Sequence, residues 1–211
     1  MKILNFMNFD NLINEKKIRN VLTKSHNISH RYFEDQCLQR NINLNLTKAS
    51  VLIPLIIKDD EIEILLTNRS ALLEDHAGQI SFPGGRIDNS DNSPVDTAIR
   101  ESYEEVGIEK SRVEVLGSLD VYQTGTGFRI IPIAGIIKGE IEYNINQTEV
   151  DSVFHLPLQY LMDEKNHLKE IKTFKGNGRN VDYNFNVIQY KENYIWGATA
   201  GMLINLYHLL K

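Results

Sequence analysis

Arg100, Glu101, Glu104 and Glu105 are the residues of this chain whose types and spacing could do chemistry. Carboxylates at i, i+3 and i+4 share one face of a helix. Such a face repels itself unless a positive charge sits on it. Hard divalent cations prefer carboxylate oxygens, and a cation held there could in turn hold a phosphate chain. The plain alternative is a solvated acidic face, the usual fate of a charge run. The four residues close the segment 82–108, FPGGRIDNSDNSPVDTAIRESYEEVGI, which begins in the Gly84-Gly85 turn.

A helix must present them, and its ends are written in the sequence. Ser93 suits the N-cap, Pro94 suits the first helical position, and Asp96 completes a capping-box pattern. Gly107 suits the left-handed stop. Val95, Ala98, Ile99, Ser102 and Val106 fall on one stripe at about 100° per residue. The glutamates fall away from that stripe. The expectation is therefore one face packed down and another offering carboxylates.

Residues 100–108, Arg-Glu-Ser-Tyr-Glu-Glu-Val-Gly-Ile, resemble the REUxEExGU half of the Nudix box, where U is a bulky apolar residue. Ser102 departs from that apolar preference. The glutamate of the usual box, eight residues before the arginine, is here Asn92, with Asp88 and Asp91 nearby. The loop from Gly85 to Arg100 is one residue longer than usual, as in the coenzyme A pyrophosphatase branch. Upstream, residues 65–70 (LLTNRS) and 78–85 (GQISFPGG) are similar to the LLTxRS…GxxxFPGG signature of that branch. Glu74 stands where the signature has an arginine. Downstream, Thr126-Gly127-Phe128 with Ile131-Pro132, the segment 146–158, and residues 195–200 (IWGATA) resemble further blocks in the same order. The resemblance covers roughly residues 45 to 210.

The resemblance implies a Nudix-type α/β/α sandwich with a mixed sheet and metal-dependent hydrolysis of a small nucleoside diphosphate. The expected substrate is coenzyme A or acyl-coenzyme A, cut to 3′,5′-ADP and 4′-phosphopantetheine or its acyl form. ADP-ribose or NADH is the alternative that Glu74 keeps open, and a catalytically silent nucleotide-binding module is the alternative of another class. The expected cofactor is Mg²⁺ or Mn²⁺. Glu101 and Glu105, one turn apart, are expected as main ligands. Glu104 is a ligand to a further ion or the base, and Glu149 is a second candidate base or an exposed loop acid. Arg100 is expected to hold one of the glutamates in position. Arg69 and Ser70 resemble substrate-side residues, with a structural ion pair the alternative for Arg69, and Gln79 lines the site or shapes the turn. Gly84 and Gly85 lack a Cβ and let backbone approach phosphate or metal. Phe82 lines the site or shapes the turn, and Trp196 is expected in the core.

The rest of the chain bounds these expectations. Its 211 residues allow one domain, with residues 1–45 a helical extension that packs on the sandwich or joins a homodimer contact. A net charge of -5 offers no basic surface for nucleic acid. One cysteine, Cys37, makes no internal disulfide, which suits the cytoplasm. The longest apolar run, residues 51–57, is too short to span a bilayer, and the N-terminus lacks the apolar stretch of a signal peptide. Residues 50–57 and 61–67 read as a hairpin. Residues 113–121, 128–137, 153–156, 181–190 and 194–196 read as strands, 158–163 as a short helix, and 199–210 as an amphipathic helix.

Overall fold

The computed structural model describes residues 13–24, 32–34, 46–58, 61–73, 75–176 and 179–211. Cys37 and Glu74 lie outside these, as does most of the helical extension expected over residues 1–45.

The fold is built on β2 (Thr47–Lys58), whose run of apolar residues is buried on both faces. Successive side chains alternate between those faces. Val51, Ile53 and Leu55 join one core, while Leu52 and Ile56 join the other. The next strand, β3 (Glu61–Arg69), follows the same rule: Ile62, Ile64 and Leu66 point one way and Leu65 the other. A strand covered on both sides reads as a continuous apolar run rather than an alternation, which is what residues 50–57 show.

Around this pair the large sheet is mixed. β2 runs parallel to β8 (Phe128–Ile137) and antiparallel to β3 and to the short β5 (Gly84–Arg86). β4 (Ile80–Ser81) and β9 (Val150–Pro157) pair with β3. Helix α2 (Pro94–Val106) covers one face through Ala98 and Val106. The other face is covered by α1 (Glu15–Lys24), α3 (Leu158–Met162) and α4 (Gly197–Leu210), with Ile18, Leu161 and Leu203 in its core. The architecture is an α/β/α sandwich.

Three expectations change. The strand expected over residues 113–121 is two, β6 (Val113–Ser118), which itself carries a register shift between Val115 and Gly117, and β7 (Val121–Gln123), with a break at residues 119–120 where the Leu119 N–H donates to the Pro132 carbonyl at 2.9 Å. Each piece pairs with a different half of β8, and β7 also runs parallel to the short β1 (Tyr32–Glu34). Residues 168–176, unassigned from sequence, form β10 (Leu168–Gly176). With β11 (Arg179–Tyr190) and β12 (Asn193–Trp196) it makes a second, antiparallel sheet. Finally, α4 is not amphipathic. It touches β11, β12, α1, α3 and β7, so nearly every side is buried and only His208 and its neighbourhood face water.

Candidate functional site

The N-terminal end of β2, the β5 turn, α2 and the start of α4 enclose a cavity of about 560 Å³. Helix α2 is fixed at both ends by its own sequence. The Ser93 hydroxyl oxygen accepts from the Asp96 N–H at 3.2 Å, and its O–H donates to Asp96 Oδ2 at 2.9 Å. At the other end Gly107 takes φ 78° and donates its N–H to the Tyr103 carbonyl at 2.9 Å. This aims Glu101 and Glu105 into the cavity.

Glu105 departs from the expectation that the glutamates stand clear of the packed side. Its side chain is 2% exposed. The helix meets the β5 turn there, and the Gly84 N–H donates to Glu105 Oε2 at 3.1 Å. Arg69, at the end of β3, brings Nη1 to 3.7 Å from Glu105 Oε1. Burial pushes the Glu105 carboxyl up to about 8, against the pull of the Gly84 N–H and Arg69, and the charges of Glu101 and Glu149 add to the rise. Burial also raises Glu101, opposed by Arg100. Gly85 makes room for that carboxylate: a Cβ there would lie 2.5 Å from both Glu101 oxygens.

Arg100 works beneath these acids. Its Nε and Nη2 donate to the two oxygens of Asp91 at 3.0 and 2.9 Å, and its Nη1 donates to Glu101 at 2.9 Å and Glu104 at 3.0 Å. A bidentate, charge-assisted pair of this kind fixes orientation as well as charge. It holds the Asp91 carboxyl well below the usual carboxylate range and raises the arginine further. Asp91 is the partner that the sequence did not single out. The signal was present in an acid in the loop before the helix, but nothing local distinguished it from Asp88.

The other candidates divide. Glu149 lines the same cavity from the segment before β9, and Arg69, Gln79, Phe82, Gly84 and Gly85 line it too. Glu104 does not. It is about half exposed, on the outer side of α2, and is held by Arg100. Ser70 is fully buried outside the cavity lining. Its N–H donates to the Glu149 carbonyl at 2.8 Å and its hydroxyl accepts from the Leu72 N–H at 3.3 Å, so it ties the end of β3 to the Glu149 segment. Trp196, expected in the core, is half-buried and lines the cavity with Met202, Ile130 and Phe128, which make an apolar part of its wall. Arg86 lies over the Phe128 ring at 5.7 Å. His76, in the loop between β3 and β4, lines the cavity with a left-handed backbone, φ 60°. A separate groove of about 430 Å³ on the outer side of α2 reaches Asp91 and Arg100 but neither Glu101 nor Glu105.

The cavity fits a hard divalent cation by donor chemistry. Four carboxylates line it, Asp75, Glu101, Glu105 and Glu149, and Glu105 is buried with a raised proton affinity. Among the described residues no three acidic, histidine or cysteine side chains are gathered as a finished cage. The fit is therefore one of charge and oxygen donors. Among the described residues, no helix is long and apolar enough to cross a membrane.

The chain matches the NUDIX domain family over residues 46–174. A Klebsiella pneumoniae protein described as an uncharacterized Nudix hydrolase, NudL, is 40% identical over 164 residues, 77% of this chain and 82% of that protein. A protein of the same description from Escherichia coli O7:K1 is 37% identical over 174 residues, 81% of this chain and 88% of its own. Among solved structures, a binary complex of a C. elegans Ap4A hydrolase aligns with 53% of this chain and 80% of its own, at 18% identity and a TM-score of 0.47. The family match spans more than half of the sequence and includes the turn, the helix and the glutamates that build the cavity. The chain belongs to the Nudix hydrolase family.

Proposed function

We propose that the protein is a metal-dependent coenzyme A diphosphatase, converting coenzyme A or an acyl-coenzyme A to 3′,5′-ADP and 4′-phosphopantetheine or its acyl derivative. One observation supports this reading above the others. The upstream signature of the coenzyme A branch and the Nudix box share one cavity, with Arg69, Gln79, Phe82 and Gly85 from the first and Glu101 and Glu105 from the second.

Glu101 and Glu105 would hold the cation. A Mg²⁺ or Mn²⁺ ion there supplies neutralisation of the phosphate oxygens and a lowered pKa for the attacking water. Arg69 has a planar fork of donors at the cavity and suits bidentate contact with a phosphate. Arg100 keeps Glu101 oriented from below, with Asp91 and Glu104 as its counter-charges. Glu149 is the proposed base: it faces the cavity, and one of its oxygens accepts no hydrogen bond from any described residue. For Glu104 to ligate a further ion it would have to leave Arg100.

A second reading, hydrolysis of another nucleoside diphosphate such as ADP-ribose or NADH, is favoured by Glu74, an anion where the branch signature has a cation. The test is mass spectrometry of products from purified protein with Mg²⁺ or Mn²⁺ and a panel of coenzyme A, acetyl-coenzyme A, ADP-ribose, NADH and diadenosine polyphosphates. Metal-dependent release of 3′,5′-ADP from coenzyme A, faster than any other cleavage, is expected. Cleavage of ADP-ribose or NADH with coenzyme A left intact would overturn the substrate and keep the chemistry. Binding without turnover of any member would favour a silent nucleotide-binding module.

A further inference from the structure

Glu149 reaches the cavity from the segment before β9, far in sequence from α2, and Asn146 bonds to both regions. Its backbone N–H donates to the Glu105 carbonyl at 2.9 Å. Its side-chain Nδ2 donates to Glu149 Oε1 at 2.9 Å. Its carbonyl accepts from the N–H groups of Glu149 and Val150 at 3.0 and 2.9 Å. Its Oδ1 accepts from the Thr148 N–H at 3.2 Å and the Thr148 hydroxyl at 2.7 Å. The partners fix which way the amide points. A backbone N–H can only donate, so it faces oxygen, and a carboxylate can only accept, so it faces nitrogen. Two neighbouring contacts complete the strap: the Asn144 N–H donates to the Val106 carbonyl at 3.2 Å, and Ser70 holds the Glu149 carbonyl from β3.

We infer that Asn146 is a positioning residue for the hydrolysis: it locks one oxygen of Glu149 and ties that carboxylate to the backbone of Glu105, so that the two acids keep a fixed separation. This rests on the reading of the cavity as a diphosphate hydrolase site. The residue type follows from the task. The turn needs an acceptor at Oδ1 and Glu149 needs an uncharged donor at Nδ2, and only a short primary amide offers both within one turn. Aspartate would keep the turn and replace the donor with a second negative charge. Alanine would lose both.

That difference makes Asn146→Asp the informative variant. The expected result is a kcat lower by about 10- to 100-fold, the range seen when an outer hydrogen bond to a reacting or ligating group is lost, with KM within about twofold. In a Glu149→Gln background the same substitution should change the residual kcat by less than about twofold, because the group it acts on is gone. An equal loss in both backgrounds, or wild-type kcat in Asn146→Asp, would overturn the inference. A parallel cycle needs neither substrate nor metal. Asn146→Asp should lower the thermal unfolding midpoint when Glu149 is present and much less when residue 149 is glutamine. Equal destabilisation in both overturns the contact. If the wild type hydrolyses no diphosphate of the panel, the functional reading falls, and the unfolding cycle still decides whether Asn146 holds Glu149.

Discussion

Glu105 is a group whose charge the metal-free protein holds at a cost. With its ordinary value at 4.5 and its folded value pushed up to about 8, the native state keeps a proton that the unfolded chain has released. Stability from this group is therefore complete below the unfolded value and is lost as pH rises through the folded one. In EDTA, the unfolding midpoint of the wild type should fall between pH 5 and pH 8, and Glu105→Gln should flatten that fall and raise the midpoint at pH 8. Thermal scans at three pH values check it, and a wild-type midpoint that rose over this window would contradict the burial argument. The sequence made the type and spacing of Glu101, Glu104 and Glu105 legible, but not their inequality. Periodicity within α2 places all three off the apolar stripe. What buries Glu105 is the Gly84 N–H and Arg69, contributed by β5 and β3, and a helical pattern carries no information about them.

At the scale of elements, α2 is the piece that local chemistry decides. Ser93→Ala removes the acceptor for the Asp96 N–H and should cost about 1 kcal/mol in urea unfolding. It should leave KM unchanged, because the cap is remote from the cavity. Gly85→Ala should do the reverse. The protein should stay folded, while the Cβ displaces the Glu101 carboxylate it would otherwise overlap, lowering kcat by about 100-fold, the loss expected of a misplacement near 1 Å. Steady-state kinetics beside a melting curve separate the two variants. The caps and stop of α2 were readable because every contact that sets them lies within a few residues. The character of α4 was not. Its burial on nearly all sides depends on β11 and β12 closing over it, a tertiary fact that makes a helix apolar all round instead of striped.

Across the whole molecule, the large sheet was readable in its central strands, where residues 50–57 form a continuous apolar run and residues 61–67 alternate glutamate with isoleucine before Leu65 and Leu66. The second sheet was only half readable. β11 and β12 carry aromatic and β-branched residues, whereas β10 alternates lysine and glutamate with single apolar residues and leaves Ile171 65% exposed. Its strand state comes from pairing along its whole length with β11, from Leu168 opposite Val187 to Gly176 opposite Arg179. That sheet delivers Trp196 to the apolar wall of the cavity, in edge contact with Phe185 at a centroid distance of 5.6 Å. Trp196 is the one tryptophan among the 211 residues. The protein therefore contains a built-in optical probe at the mouth of its own chemistry. Excited near 295 nm, its emission should shift or quench as 3′,5′-ADP or coenzyme A is titrated in without metal, giving an affinity from intrinsic fluorescence with no label and no turnover. A spectrum that stayed flat while calorimetry recorded binding would mean that the ligand leaves the apolar wall untouched.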